Sequence, residues 1–277
     1  MKSYVYSSPE IDFPTTTEYP KEKIREIQKL LLDMAKRVCG ILEKHNIPYF
    51  ITFGTLLGAV RHSGFIPWDD DFDIFLFDDS YDEAMDYLES ELPEHLVVHS
   101  LRTDPLYFPA WNSVKNLNTQ VVDGGLYNAD NKLLKFNCIG VDMYRIKKMG
   151  SHHIKSYKIK EAISFFERKS EFGIISQDEF NKKCNQLKDE LERARLAEAA
   201  AEDKSEIFMF MLLLKQGISP NYIFPLKKYK FENVEFFGPN NHHELLTATY
   251  GRYMEIIEFE KRKPHFLKVS ILRDSNA

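Results

Sequence analysis

The chain has few cysteines and no long apolar run, and each absence excludes a class of protein. Its three cysteines, Cys39, Cys138 and Cys184, form no CxxC pair, so the sequence predicts neither a disulfide framework nor a thiolate zinc site. The first twenty residues lack the apolar stretch of about 7–15 residues that a signal peptide needs. The most apolar run, Ile207–Leu214, is far shorter than the roughly 20 residues that cross a bilayer. We therefore expect a cytoplasmic protein without a transmembrane segment, in a reducing compartment.

The chain also lacks an excess of basic residues. With 37 Lys and Arg against 42 Asp and Glu, its formal net charge is −5, which argues against a general nucleic-acid binder because such proteins are usually basic. Apolar residues are plentiful, since 43% of the chain is hydrophobic and there are 21 Phe and 14 Tyr, enough for a sizeable core. A length of 277 residues suggests one large domain or two small ones, at about 150 residues per domain.

The order of periodic segments predicts an α+β protein, because strands dominate the first half and helices much of the second. We predict an extended arm over 1–19 and a single domain over 20–272, with a catalytic core at about 46–146 and helices and a hairpin at about 147–272. The predicted strands are 49–53, 71–77, 96–101, 110–114, 119–122 and 139–146, with a hairpin over 229–236. The predicted helices are 20–45, 54–62, 80–92 with Ser80 as N-cap, 153–201 with a break near 173–176, 207–215 and 242–250.

Acidic residues are concentrated in one segment of the chain. Between Asp69 and Glu94 there are twelve Asp or Glu residues and no Lys or Arg. The acids after Asp79 fit the exposed face and first turn of a helix, where the helix dipole favours them. Four acids at the start of the segment flank or occupy an apolar run and need another explanation; they are Asp69, Asp70, Asp71 and Asp73.

Asp71 and Asp73 are separated by one residue on a predicted strand. Their side chains therefore lie on the same face, with Cα atoms about 6.5 Å apart. Two buried like charges would repel each other and raise a pKa, and a divalent cation removes that penalty. Carboxylate oxygens favour Mg²⁺ or Mn²⁺. The pair therefore predicts a metal site, although a lone DxD also occurs often by chance.

A Gly-Thr turn at the end of the preceding predicted strand strengthens this prediction. Gly54 permits a close backbone approach to a ligand, and a helix that begins near Thr55 would favour an anion at its N-terminus. An anion-binding turn beside a carboxylate-bound cation is suited to phosphoryl or nucleotidyl transfer, in which the cation neutralises the charge of donor phosphates.

The run FGTLLGAVRHSGFIPWDDDFDIFLF over 53–77 resembles the signature of the LicD family of phosphocholine transferases, which includes the fukutin-related proteins. The resemblance continues at 140–144, 223–228, 231–236 and 245–253. It implies the nucleotidyltransferase fold of the DNA polymerase beta superfamily: a mixed sheet flanked by helices, here with added C-terminal helices and a hairpin. One departure is Met143-Tyr144-Arg145, where the family usually has an Ile-Phe-Pro stretch, and this leaves the acceptor open.

The resemblance also implies roles for individual residues. Asp71 and Asp73 would be the metal pair, and Asp142 would be a third carboxylate that binds metal or activates the acceptor hydroxyl. The residues implied to bind donor phosphates or stabilise their charge are Gly54, Thr55, Arg61 and Lys115.

The implied reaction is a Mg²⁺- or Mn²⁺-dependent transfer of a phospho-alcohol group. The donor would be CDP-choline or another CDP-alcohol, the acceptor a hydroxyl of a surface glycan or lipid-linked oligosaccharide, and the product CMP. No nucleic acid would take part, and the protein would work in the cytoplasm or at the inner face of the membrane, with peripheral contact. Two alternatives stay open: a nucleotidyltransferase that uses NTPs on a small molecule, and a non-catalytic glycan-binding relative.

Other conspicuous residues favour structural roles. We expect Asp69 or Asp70 to support the metal ligands without binding metal, and Trp68 to anchor the core. His62 suits the end of a helix, where a cation is favourable. The HExxH motif of metalloproteases is absent after His243, because position 247 is Thr.

Overall fold

The computed structural model describes residues 10–12, 21–123, 133–210, 217–258, 262 and 265–272. The helices are α1 (Lys21–Lys44), α2 (Phe53–His62), α3 (Asp78–Glu91), α4 (Ile154–Glu171), α5 (Gln177–Ala199), α6 (Pro220–Ile223) and α7 (His242–Tyr250). The strands are β1 (Glu10–Asp12), β2 (Tyr49–Ile51), β3 (Phe72–Phe77), β4 (Leu96–His99), β5 (Asn112–Asn116), β6 (Thr119–Asp123), β7 (Gly140–Gly150), β8 (Glu206–Met209), β9 (Lys227–Phe231), β10 (Val234–Gly238) and β11 (Phe266–Ile271).

A mixed sheet with strand order β2-β3-β7-β5-β4 forms the centre of the protein. β3 and β7 are parallel, whereas the other pairs along this order are antiparallel. β8 pairs with the C-terminal end of β7. Every residue of β3 is buried, as expected for a strand covered on both faces. α1 and α3 contact each other and both lie against β3 and β7, which confirms a mixed sheet flanked by helices.

Two smaller sheets complete the described structure. β9 and β10 form an antiparallel hairpin that turns at Glu232-Asn233, as the sequence predicts. β11 lies between β1 and β6 in a three-stranded antiparallel sheet. β11, near the C-terminus, thereby pairs with one strand in the predicted N-terminal arm and with one strand in the predicted catalytic core.

Most predicted helices are confirmed. The segment predicted as helical over 153–201 forms two helices, α4 and α5, separated at the predicted break. The side chain of Ser176 accepts a hydrogen bond from the backbone N–H of Glu179 at 3.2 Å and caps α5. Within the described residues, no helix unites the length and apolar character required to traverse a bilayer.

Two local predictions are wrong. Ser80 does not cap α3, because the helix begins two residues earlier, directly after β3, with Asp78 and Asp79 in its first turn. The predicted helix over 207–215 is a strand where it is described, since Ile207–Met209 belong to β8 and pair with β7. A short apolar run suits a strand as well as a helix, and here the free edge of β7 decides. Residues 211–215 of this predicted helix lie outside the described structure, as do residues 124–132.

Candidate active site

Two predicted carboxylates lie side by side on neighbouring parallel strands. Asp73 of β3 pairs in register with Asp142 of β7. Paired residues of adjacent strands point to the same face, and their strands are about 4.8 Å apart. On the other side of β7, Asp142 pairs with Ser113 of β5. Asp71 lies two residues before Asp73 and interacts electrostatically with Asp73 and with Asp142. The structure therefore brings the three predicted carboxylates together at the N-terminal end of β3.

Burial and mutual repulsion raise the pKa values in this cluster. Burial raises the pKa of Asp71 to about 6; the charge of Asp142 adds to the rise and His265 opposes it. The pKa of Asp73 is raised well above its usual range by burial and by the charges of Asp71 and Asp142. Burial and the charge of Asp71 raise the pKa of Asp69 as well. Carboxylates in this arrangement ionise together only with a positive counter-charge nearby.

One unpartnered oxygen indicates where a divalent cation fits. Asp71 Oδ1 is buried and has no hydrogen-bond partner among the described residues. A buried carboxylate oxygen without a partner is costly. A cation held by Asp71, Asp73 and Asp142 would supply that partner, and a set of carboxylate oxygens suits Mg²⁺ or Mn²⁺.

A second group of possible ligands overlaps this cluster. Asp69, Asp70 and His265 each offer a ligand atom within 4.8 Å of the others, close enough to hold one metal ion. Asp70, however, already accepts hydrogen bonds from two backbone N–H groups and from Nδ1 of His265. Burial lowers the pKa of His265, but its hydrogen bond to Asp70 and the charge of Asp71 outweigh burial and raise the pKa to about 10. A histidine must lose its proton to bind a metal, so this group would hold a cation only after His265 is deprotonated, and metal binding by Asp71, Asp73 and Asp142 stays a prediction.

Gly54 and Thr55, predicted as a turn, lie in the first turn of α2 and against the carboxylates. A Cβ on Gly54 would lie 2.5 Å from Asp69 Oδ2, so a side chain at this position would collide with the carboxylate. Thr55 is buried, and its Oγ1 accepts a hydrogen bond from the backbone N–H of Asp73 at 2.8 Å. Thr55 therefore fixes the backbone that carries the carboxylate pair. Contact of Gly54 or Thr55 with donor phosphates stays a prediction.

Arg61 holds the chain that follows α7. Its Nη1 donates to the backbone carbonyls of Tyr253 at 2.8 Å and Glu255 at 3.1 Å. Burial lowers the pKa of Arg61, and the charge of Asp69 opposes that effect. The guanidinium therefore lies near the acidic cluster while it tethers a neighbouring segment.

Lys115 of β5 pairs in register with Gly140 of β7. A Cβ on Gly140 would lie 2.9 Å from Lys115 Nζ, so the ammonium group lies over β7 where the missing side chain leaves room. Gly140 is two residues before Asp142, and alternate residues of a strand share a face. Lys115 therefore extends across the face that carries the carboxylates, and its predicted role as a charge stabiliser stays a prediction.

Three residues near the carboxylates were not predicted as site residues. Tyr144 donates from its hydroxyl to Asp73 Oδ1 at 3.3 Å, and the alternation of β7 could have revealed it, because it lies two residues after Asp142. The pKa of Tyr250 is raised by burial and by the charge of Asp73, which places its hydroxyl near the cluster. Tyr250 and His265 carry no local sequence signal that connects them to the site.

Comparison with known proteins identifies the domain that contains the predicted carboxylates. The LicD/FKTN/FKRP nucleotidyltransferase domain matches residues 46–172. The chain is 27% identical over 266 residues to the lipopolysaccharide cholinephosphotransferase LicD of Haemophilus influenzae, covering 90% of this chain and 97% of that protein. It is 26% identical over 209 residues to an uncharacterized protein of Rickettsia typhi, covering 76% of this chain and 41% of that protein.

A shorter segment is similar to a human enzyme. Over 49 residues the chain is 41% identical to the ribitol 5-phosphate transferase FKRP of Homo sapiens, covering 18% of this chain and 10% of that protein. The matched domain includes Asp71, Asp73 and Asp142 together with the Gly-Thr turn. Residues 46–172 of this chain are a LicD/FKTN/FKRP nucleotidyltransferase domain.

Proposed function

We propose that this protein transfers a phospho-alcohol group, with phosphocholine as the first candidate, from a CDP-linked donor to a hydroxyl of a surface glycan or its lipid-linked precursor. The proposal rests above all on the cluster of Asp71, Asp73 and Asp142 beside the Gly-Thr turn. The relatives support the class of reaction, since one is named a cholinephosphotransferase and another a ribitol 5-phosphate transferase. On this proposal the domain shares the fold of the DNA polymerase beta superfamily.

The carboxylates would hold one or two divalent cations, Mg²⁺ or Mn²⁺. A bound cation would neutralise the donor diphosphate and the charge that develops during transfer. Asp73 is held for this task by the Thr55 hydroxyl at its backbone N–H and by the Tyr144 hydroxyl at its carboxylate. Proton transfer from the acceptor and stabilisation of the leaving group would fall to Asp142 and Lys115.

The acceptor oxygen would form a bond to the phosphorus that carries the alcohol, while the bond from that phosphorus to the CMP oxygen breaks. Asp142 is half-buried and lies beside Asp73, where it would take the proton of the attacking hydroxyl. Lys115, which lies over Gly140, would stabilise the negative charge of the departing CMP. Preorganised positive charge of this kind lowers the barrier because it need not reorient during the reaction.

A donor screen tests the proposal. Purified protein with Mg²⁺ and a glycan acceptor would receive CDP-choline, CDP-ethanolamine, CDP-ribitol or CDP-glycerol in separate reactions, with CMP formation as the readout. We expect CMP from one of these donors, loss of CMP with a chelator, and its return when Mg²⁺ is restored.

The same screen separates the alternatives. Pyrophosphate released from NTPs, without CMP from any CDP-alcohol, would indicate a nucleotidyltransferase that acts on a small molecule. Metal-independent glycan binding without turnover of any donor would indicate a non-catalytic relative. Either result would refute the proposed reaction.

A further inference from the structure

A segment near the C-terminus reaches the candidate active site. His265 directly precedes β11, which is held between β1 and β6. Nearby, the guanidinium of Arg262 lies 4.6 Å from the ring centre of Trp68, which itself packs against the core. The matched family domain ends at residue 172, so these contacts come from outside the domain that carries the predicted carboxylates.

Backbone hydrogen bonds dock this segment onto Asp70. The side chain of Asp70 is 0% exposed. It accepts from the backbone N–H of His265 at 3.0 Å and from the backbone N–H of Phe266 at 3.2 Å. Any residue other than proline at position 265 would keep both backbone donors. The docking of β11 therefore does not depend on the imidazole ring.

The imidazole makes a further connection that the backbone cannot make. Nδ1 of His265 lies 2.8 Å from Asp70 Oδ1 and 3.3 Å from Asp71 Oδ2. Both neighbours are carboxylate oxygens, which only accept hydrogen bonds when ionised, so Nδ1 carries the proton and donates. The ring thereby joins a carboxylate that anchors the chain to a carboxylate that fits a cation.

The two carboxylate oxygens of Asp71 have different neighbours. Oδ2 has the imidazole as its neighbour, whereas Oδ1 is buried without a partner among the described residues. We propose that His265 is a positioning residue of the cation site: its ring, which donates its N–H to Asp70, lies in an ion pair with Asp71 Oδ2, orients Asp71 and leaves Oδ1 for the divalent cation. This inference rests on the proposed function and deepens it, since it makes the C-terminal segment part of the active site.

Metal binding by the full chain tests the inference without reference to turnover. The variants are His265→Ala, which removes the donor, and His265→Asn, whose amide N–H lies close to the position of Nδ1 and keeps a donor. The control is His45→Ala, which removes an imidazole 2.5 Å from Glu91, at the end of α1 and outside the carboxylate cluster. Titration calorimetry with Mn²⁺ gives the affinity, and thermal unfolding without metal shows that each variant is folded.

We expect His265→Ala to weaken Mn²⁺ binding by about 10–100-fold, the usual effect of removing a group that orients a metal ligand. His265→Asn should recover most of that loss, and His45→Ala should bind like wild type. In the CMP assay, His265→Ala should raise the Mg²⁺ concentration needed for half-maximal rate more than it lowers the rate at saturating Mg²⁺.

Wild-type affinity in a folded His265→Ala variant would overturn the inference and leave the proposed function intact. Affinity as weak in His265→Asn as in His265→Ala would also overturn it, because the imidazole itself would then be needed. Failure of the wild-type chain both to bind Mn²⁺ and to turn over a donor would overturn the proposed function and this inference together.

Discussion

Replacing Gly140 with alanine should impair catalysis through Lys115, a residue on a different strand. A Cβ at position 140 would lie 2.8 Å from Lys115 Cδ and 2.9 Å from Lys115 Nζ. Contacts under about 3 Å between carbon and these atoms are not tolerated in a close-packed interior, so the lysine side chain must leave its place over β7. The ammonium group then no longer lies over the face that carries Asp142.

The expected magnitude has two parts. Loss of one preorganised positive group at a reacting centre typically lowers the rate by about a hundred- to a thousandfold. The new Cβ would also lie 2.9 Å from the backbone oxygen of Val114, which cannot move aside as a side chain can. Overpacking of this kind costs about 1–3 kcal/mol of stability. We therefore expect Gly140→Ala to unfold at a lower temperature and to lose about two orders of magnitude in kcat/KM.

A double-mutant cycle separates the two parts. Lys115→Met removes the charge without the collision, so its kcat/KM should fall as far as that of Gly140→Ala while its stability changes less. If Gly140→Ala acts by displacing Lys115, the double variant should have a kcat/KM no lower than that of Lys115→Met alone, because the effects of substitutions at interacting sites are not additive. The control is Gly40→Ala on the exposed face of α1, where a Cβ meets nothing within 4 Å. It should gain about 1 kcal/mol of stability from helix propensity and keep full activity. Additive losses in the double variant would refute the reasoning.

Three further predictions follow from the cluster and its surroundings. Asp73→Asn should abolish CMP formation and raise the thermal midpoint of the metal-free protein, because it removes a charge whose burial raises its pKa; a lower midpoint would contradict this. Burial raises the pKa of Asp71 to about 6. At pH values between the ordinary pKa of an aspartate and about 6, the native protein therefore binds more protons than the unfolded chain. Metal-free stability should therefore fall as pH rises through that window, and a matched pH series of Asp71→Asn should show a weaker fall. Ser176→Ala removes the cap of α5 and should cost about 1 kcal/mol without changing kcat, and altered kcat would show that α5 influences the site.

The alternation of side chains along a strand made part of the site predictable. The one-residue spacing predicted that Asp71 and Asp73 would lie close together, and they do interact electrostatically although β3 begins only at Phe72, directly after Asp71. That prediction needed no knowledge of the rest of the fold. The pairing of Asp73 with Asp142 is different, because no local pattern states which strand lies beside β3. The resemblance supplied Asp142, and the register of β3 with β7 then placed it beside Asp73.

Local patterns failed where a neighbouring element decided the outcome. The apolar run that includes Ile207 has the composition of a buried helix or a buried strand, and pairing with β7 makes it a strand. Ser80 has the chemistry of a helix cap, but α3 begins at Asp78 because β3 ends directly before it. In the first case the deciding contact is with a strand far away in the chain, and in the second the end of the preceding strand sets the first residue of the helix.

Asp70 and Asp71 are identical in type and adjacent in the chain, yet their side chains have different hydrogen-bond partners in the structure. Asp70 accepts hydrogen bonds from the backbone of His265 and Phe266, so its charge is satisfied by the protein and it anchors a strand. Asp71 keeps one buried oxygen without such a partner among the described residues, and in the proposed function a divalent cation takes that place. The donors that make this distinction come from residues far along the chain, after α7. A sequence of consecutive aspartates therefore marks where a cation site can form, whereas the surrounding donors determine which carboxylate is left to bind it.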